Sequence, residues 1–372
     1  MTAVEPYDVV VVGGGQAGLA VAWHLRRQGL RFVVLEAAGE PGHTWRTRWE
    51  SLRLFTAAEY DALPGMPFPA PAGTYPGKEA VAEYLRTYAA TFALPVELGV
   101  RVTGLRRTDG GFQLSTADRT YTAQQVIVAT GPFQTPFLPP LAAGLDESVV
   151  QLHSAEYRSP DALPGGPALV VGGGNSGFQI AEELAATRPV ELSIGASYPA
   201  LPQRVLGREL FWWLTRSGFM RVPAGSRLGR RLQARETLIG TGKRGLQRAG
   251  VRYRPRLVDT TGHTVRFADG TSREVGVVVW ATGYRSDYSW IDVPGVLSDG
   301  HVVHSRGVTE VPGLYFLGLP WQHTRGSALL GFVADDAQHI AGHVARTAAG
   351  RAPASAPDLA DADPGGVVQS TR

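Results

Sequence analysis

The apolar residues of this chain gather in short, β-branched runs that stop at glycine. Residues 9–25 read VVVVGGGQAGLAVAWHL, and residues 168–184 read ALVVGGGNSGFQIAEEL. In each, a run too short for a helix suits a strand buried on both faces, and a helical pattern follows the glycines. A second strand follows in each case: RFVVLE ends at Glu36, and VELSI ends just before Gly195. Two further apolar runs share one tripeptide, VIVATG ending at Gly131 and VVVWATGY ending at Tyr284. Each closes a unit that a glycine cluster opened. One βαβ unit is thus used twice, which predicts an α/β fold of two Rossmann-like dinucleotide-binding domains.

The glycine spacing gives the reason. Gly13, Gly15 and Gly18 fit G-x-G-x-x-G, as do Gly172, Gly174 and Gly177. The first glycine makes a tight turn, the second lets backbone approach a pyrophosphate, and the third packs helix on strand. The diphosphate then meets unpaired N–H groups at a helix N-terminus, beside Gln16 and Ala17 in one copy and Asn175 and Ser176 in the other. Asn175 and Ser176 also suit simple helix capping. The copies part at the end of the second strand. Glu36 can bind the ribose hydroxyls of an adenosine, which suits FAD. Gly195 holds the matching place in the second copy, so no acid there repels a 2′-phosphate. With Ser197, Tyr198 and Arg204 following, that copy suits NADPH better than NADH, and Arg204 is the expected phosphate clamp. Thr130 and Gly131 in one unit, and Ala281, Thr282 and Gly283 in the other, end strands where chain and nucleotide come close.

Composition narrows the chemistry. The 372 residues include no cysteine, which removes disulfides, thiolate metal sites and any thiol relay of electrons from a flavin. No metal site is expected. A net charge of +3 over this length does not imply nucleic acid. No apolar run could span a bilayer, and Glu5 ahead of the first strand argues against a cleaved signal, so a cytoplasmic protein is expected. From Arg204 to Arg256 the chain is crowded with arginine and carries FWWL at 211–214. Three uses fit: a solvated arginine face with aromatics packed inward, a lid over an apolar substrate, or a surface for membrane or RNA. The first is the commonest outcome for a charge run. No nucleic-acid partner is expected, and weak membrane-surface association stays secondary.

In these motifs the chain resembles the flavin-containing monooxygenases, above all their shorter bacterial members and the plant YUCCA-like enzymes. The similarity runs from about Tyr7 to about Val344. It rests on the two glycine fingerprints, the segment Gly42-His43-Thr44-Trp45-Arg46, and SLRLFTAAEYDALPGMPFP after Glu50. It continues through YPGKEAVAEYL from Tyr75, WATGY from Trp280 and GLYFLGLPWQHTRGSALLGFVADDA from Gly313. Of the family's F-x-G-x-x-x-H-x-x-x-(Y/F) stretch, His153 and Tyr157 are present, with Glu147 and Val149 at the phenylalanine and glycine positions. The arginine usual after the second unit's strand is replaced by Gly195, Ala196 and Ser197.

The resemblance implies an FAD domain from residues 1–160 and 290–346, an inserted NADPH domain over 165–285, and a disordered tail over 347–372. It also implies that NADPH reduces FAD by hydride transfer and that a flavin hydroperoxide forms with O2. One oxygen then passes to a small organic nucleophile: a sulfide, an amine, an electron-rich carbon or a ketone. No protein nucleophile is obligatory. Trp45, Arg46 and Gln322 are the flavin-proximal candidates, while His323 reads as structural. The alternatives are a flavin NADPH oxidase or reductase releasing hydrogen peroxide, and a non-enzymatic flavin redox sensor. A homodimer is the default assembly for such enzymes.

Overall fold

A computed structural model describes residues 6–195, 199–234 and 237–350. The first valine run forms β1 (Tyr7–Val12) inside a sheet, where Val9, Val10 and Val11 are fully buried. β2 (Phe32–Leu35) pairs with it in parallel, Val9 opposite Phe32, and β3 (Val96–Glu97) lies beyond β2. Next come β4 (Gly104–Thr108), β5 (Gly111–Ser115) and the long β6 (Thr120–Val128), an antiparallel meander. The second half of β6 turns back to run parallel to β1, Val12 opposite Val128. The strand Leu314–Phe316 then joins β6 from the far end of the chain, Tyr315 opposite Ile127.

Helices from both ends of the chain pack on one face of this sheet. α1 (Gln16–Arg27) follows the first glycines, α2 (His43–Arg46) is a single turn, and α3 (Lys78–Thr91) lies beyond it. Leu19, Leu25, Leu85, Ile340 and Val344 meet β1 and β2 in one core, the last two supplied by the helix Ala334–Ala349. Each of these buried aliphatic side chains contributes ~1.5–3 kcal/mol to holding sheet and helices together.

Two short strands carry the chain out of this unit and back. β7 (Thr135–Pro136) pairs antiparallel with Tyr284–Arg285. Between them β8 (Val150–His153), β9 (Ala168–Val171), β10 (Val190–Ser193) and the strands Arg252–Arg254 and Val277–Trp280 form a second, wholly parallel sheet. Its order is Arg252–Arg254, β10, β9, Val277–Trp280, β8. α4 (Asn175–Ala185) packs Ile180 and Leu184 against Val170, Leu192 and Val279.

Two boundaries differ from expectation. β8 pairs with Val277–Trp280, so the amino-terminal part of the first unit ends before Val150 rather than at residue 160. A four-residue edge strand carries too short an apolar run to show which sheet it joins. The helix Ala334–Ala349 runs past residue 347, where a disordered tail was expected, and Thr347 Oγ1 lies 3.1 Å from the Tyr315 hydroxyl. Residues 351–372 lie outside the described residues. The aromatics of the basic stretch divide. In α5 (Leu210–Arg216), Phe211 packs inward among Phe55, Tyr60 and Phe332, ring centroids 6.1, 6.0 and 5.6 Å away, while Trp213 stays partly exposed. Among the described residues no helix is long and apolar enough to cross a membrane.

Candidate functional site

The two glycine loops are built to one plan. A methyl group placed on Gly18 would lie 1.9 Å from Gly13 O, and one on Gly177 would lie 2.3 Å from Gly172 O. The third glycine of each motif is therefore where helix and strand touch. Gly13 and Gly172 both have left-handed φ, +112° and +138°. Their added methyls would strike Ala129 O at 2.5 Å and Ala281 O at 2.1 Å, so each loop crosses the end of its own Ala-Thr-Gly strand. The middle glycines differ from the rest: Gly15 and Gly174 face open space, with no heavy atom within 4 Å of an added methyl. Each is an N-cap without a side-chain cap, and neither helix has an acid in its first turn. The first N–H groups of α1 and α4 thus remain available to an anion.

Around the first loop, Glu36 Oε2 accepts from Gly14 N at 2.6 Å and Oε1 accepts from Ala38 N at 2.8 Å. These bonds hold the carboxylate at the end of β2, beside the glycines. Gln16 donates through Nε2 to Ala328 O at 2.9 Å and accepts from Trp45 Nε1 at 3.0 Å. It therefore braces α2 and the returning chain against the loop. Trp45 packs against the cores of both units. Ala17 lies under Gly318, whose added methyl would be 2.9 Å from its Cβ. Gln134 donates to Thr130 Oγ1 and Gly131 O, both at 2.9 Å, and accepts from Asp287 N at 2.8 Å, joining the two crossovers.

Several of the expected site residues have partners within the chain. The Arg46 guanidinium is committed to Glu40 at 2.7 Å and Glu79 at 2.5 Å, so it ties α2 to α3 rather than standing free for a ligand. Gln322 is buried with its amide turned into its own turn: Oε1 accepts from Leu319 N at 3.2 Å. Arg204, the expected phosphate clamp, is engaged by Glu209 at 3.1 Å, a carboxylate that also takes the Tyr75 hydroxyl. Ser197 lies outside the described residues. Asn175 does not cap α4; its Oδ1 accepts from Ile239 N at 3.2 Å, pinning the basic stretch to the second loop. Ser176 follows it in the first turn of α4.

At the second unit's exit, Thr282 Oγ1 donates to Phe137 O, and Gly283 O accepts from Phe137 N at 3.0 Å and from His153 Nε2 at 2.9 Å. Because His153 Nδ1 accepts from Ala155 N at 3.1 Å, the ring proton is assigned to Nε2. Burial holds His153 below the usual histidine range, so the neutral tautomer is the one that clips Gly283. Tyr157 donates to Glu183 on α4 at 2.9 Å.

Two residues went unnoticed in the sequence. Arg48 lies over Phe133 at 4.8 Å and Tyr284 at 5.1 Å, and donates to the Tyr284 hydroxyl. It clasps both crossovers from the first unit. Asp61 is almost wholly buried, with Oδ1 accepting from Thr56 Oγ1 and Oδ2 lacking a partner; burial pushes its carboxyl up to about 7. Neither stands in a pattern that spacing could flag.

Known proteins share the sequence family and the fold. The pyridine nucleotide-disulphide oxidoreductase family model matches residues 10–196. An uncharacterised CzcO-like oxidoreductase of Geobacillus kaustophilus is 42% identical over 336 residues, 90% of this chain and 97% of that protein. Indole-3-pyruvate monooxygenase YUCCA8 of Oryza sativa is 28% identical, with 88% of each chain covered. A flavin-containing monooxygenase from Stenotrophomonas maltophilia has the same architecture, with TM-score 0.78 and 30% identity over 93% of this chain and 100% of that one.

Proposed function

The chain belongs to the pyridine nucleotide-disulphide oxidoreductase family, in its flavin-containing monooxygenase and CzcO-like branch, and from that premise we propose an FAD- and NADPH-dependent monooxygenase of small organic nucleophiles. The observation that carries the reading is the pair of open middle glycines, Gly15 and Gly174, each at an uncapped helix N-terminus. The residues fit the groups assigned to them. A diphosphate fits the space over Gly15, and the Glu36 carboxylate at the end of β2 fits an adenosine ribose. The second loop repeats the diphosphate cradle without the acid. The absence of cysteine removes the thiol relay that the family's name describes.

FAD bound at the first loop supplies the redox chemistry, linking a reduced nicotinamide to dioxygen. The protein's task is to orient and to exclude water. Gln16 and Trp45 brace the loop's outer wall, and Arg48 holds the two crossovers in one register across both units. The basic stretch closes over the first unit: Ala224 N donates to His323 O at 2.7 Å, and Arg325 donates to Thr237 O at 3.0 Å. Phe211, Met220 and Ile239 then seal an apolar cluster with Phe55 and Phe332 as partners. Such a cover suits an uncharged, apolar substrate.

The test is turnover of methyl phenyl sulfide with NADPH under labelled dioxygen. The reading expects a sulfoxide carrying one labelled oxygen per NADPH consumed. Equimolar peroxide with no labelled product from sulfide, amine or ketone probes would leave an NADPH oxidase.

A further inference from the structure

We propose that Arg256 binds the 2′-phosphate of NADPH, reaching from just beyond a neighbouring strand into the space that Gly195 leaves bare. The inference rests on reading Gly172–Gly177 as the nicotinamide nucleotide site. In a unit of this kind, the residue ending the second strand stands beside the 2′ position of the adenosine ribose. An acid there binds the hydroxyl and repels a phosphate, whereas an arginine nearby accepts the phosphate. Glu36 is that acid in the first unit. In the second, a methyl group added to Gly195 would lie 3.0 Å from Arg256 Nε and 3.1 Å from Arg256 Nη2. The guanidinium thus lies against the position that corresponds to Glu36 in the sequence of the other copy.

The placement is built. Strand Arg252–Arg254 pairs in parallel with β10, Ser193 opposite Arg254, and Ile194 N donates to Arg254 O at 3.1 Å. Ser193 Oγ then donates to Pro255 O at 2.8 Å and accepts from Leu257 N at 3.1 Å, fixing the backbone on both sides of Arg256. Pairing with β10 ends here, and the next strand begins at Leu257, so Arg256 lies in the link between two strands. The neighbouring cation is already committed: Arg254 makes a two-pronged contact with Glu191, Nε to Oε2 at 2.9 Å and Nη2 to Oε1 at 2.6 Å. Arg256 is exposed, and among the described residues its side chain has no carboxylate or carbonyl partner. A planar guanidinium with its donors free is the group that takes a phosphate in two-pronged fashion. Arg204, the arginine suggested by nearness in sequence, has its Nε paired with Glu209 at 3.1 Å.

The experiment is calorimetric titration of the flavin-loaded full chain with adenosine 2′,5′-bisphosphate and, separately, with 5′-AMP. The wild type is expected to prefer the bisphosphate. Arg256→Ala should weaken the bisphosphate by on the order of 10- to 100-fold, the loss of a charge-assisted contact, and leave 5′-AMP within about twofold. Arg256→Lys should recover part of the loss, and the KM for NADPH should rise in Arg256→Ala while that for NADH stays. A wild type without preference overturns both this inference and the NADPH reading. A wild-type preference that survives in Arg256→Ala overturns the inference alone. Equal weakening of both probes also overturns it, because Arg256 would then serve the shared part of the nucleotide.

Discussion

Replacing two glycines of the first loop should produce opposite failures, because the structure puts backbone beside one and empty space beside the other. A methyl on Gly18 would sit 1.9 Å from Gly13 O, about 1.5 Å inside van der Waals contact. The obstacle is backbone in a loop fixed between β1 and α1, so it cannot swing aside. Overpacking of this kind costs ~1–3 kcal/mol in a yielding core, and Gly18→Ala belongs at or above the upper end. Gly15 has an extended backbone, φ −80° and ψ −172°, which valine adopts without strain, and no atom lies within 4 Å of its added methyl. Gly15→Val therefore costs the apoprotein about 1 kcal/mol or less, the difference between glycine and an apolar N-cap. Its side chain instead fills the approach to the N-terminus of α1. A hundredfold loss of FAD affinity, ~2.7 kcal/mol, is the expected minimum. The assay pairs FAD stoichiometry, from visible against ultraviolet absorbance, with thermal unfolding of deflavinated protein. Deflavination matters because bound ligand itself raises apparent stability. Gly15→Val should melt like the wild type and hold little FAD, whereas Gly18→Ala should melt early or fail to fold. Full flavination of Gly15→Val, or a wild-type melt for Gly18→Ala, would refute the reasoning.

Other perturbations reach the crossovers and the buried acid. Arg48→Ala removes the cation between Phe133 and Tyr284, contacts worth ~0.5–2 kcal/mol each, and should retain FAD while releasing more peroxide per NADPH; an unchanged peroxide yield counts against the clasp. For Asp61, the unfolded carboxyl ionises above about pH 4 while the folded one stays protonated to about 7, so its burial erodes stability progressively as pH rises through that window. Asp61→Asn keeps an acceptor for Thr56 Oγ1 and should be more stable than the wild type at about pH 8 but not at about pH 4, measured by chemical denaturation. Equal stability at the higher pH would contradict the raised carboxyl.

What the sequence revealed were features that local geometry forces. Gly13, Gly18, Gly172 and Gly177 had to be glycine because backbone lies within 2.5 Å of their missing side chains, and such demands leave a spacing that can be read. Glu36 was legible for a similar reason, standing at the end of a buried strand. Arg256 was not, because its relevance comes from β10 lying beside Arg252–Arg254, a pairing between segments far apart in the chain. Arg46 and Gln322 illustrate the converse. Both lie in the segments that resemble the family, but whether such a side chain is free depends on partners elsewhere: Glu79 on α3 for Arg46, and the fold of its own turn for Gln322. β8 escaped notice because four residues at a sheet edge carry too little pattern to show which sheet they join.

The proposed activity needs two nucleotides to exchange electrons in one chain, followed by controlled use of oxygen. Rapid-mixing absorbance on the flavin-loaded protein tests this most directly: reduction with NADPH without air, then mixing with oxygenated buffer and no substrate. NADPH should bleach the visible flavin bands, and once oxygen enters they should return only after a delay marked by near-ultraviolet absorbance. Bands that return at once with equimolar peroxide would contradict the monooxygenase reading, and bands that NADPH fails to bleach would contradict the second nucleotide site itself.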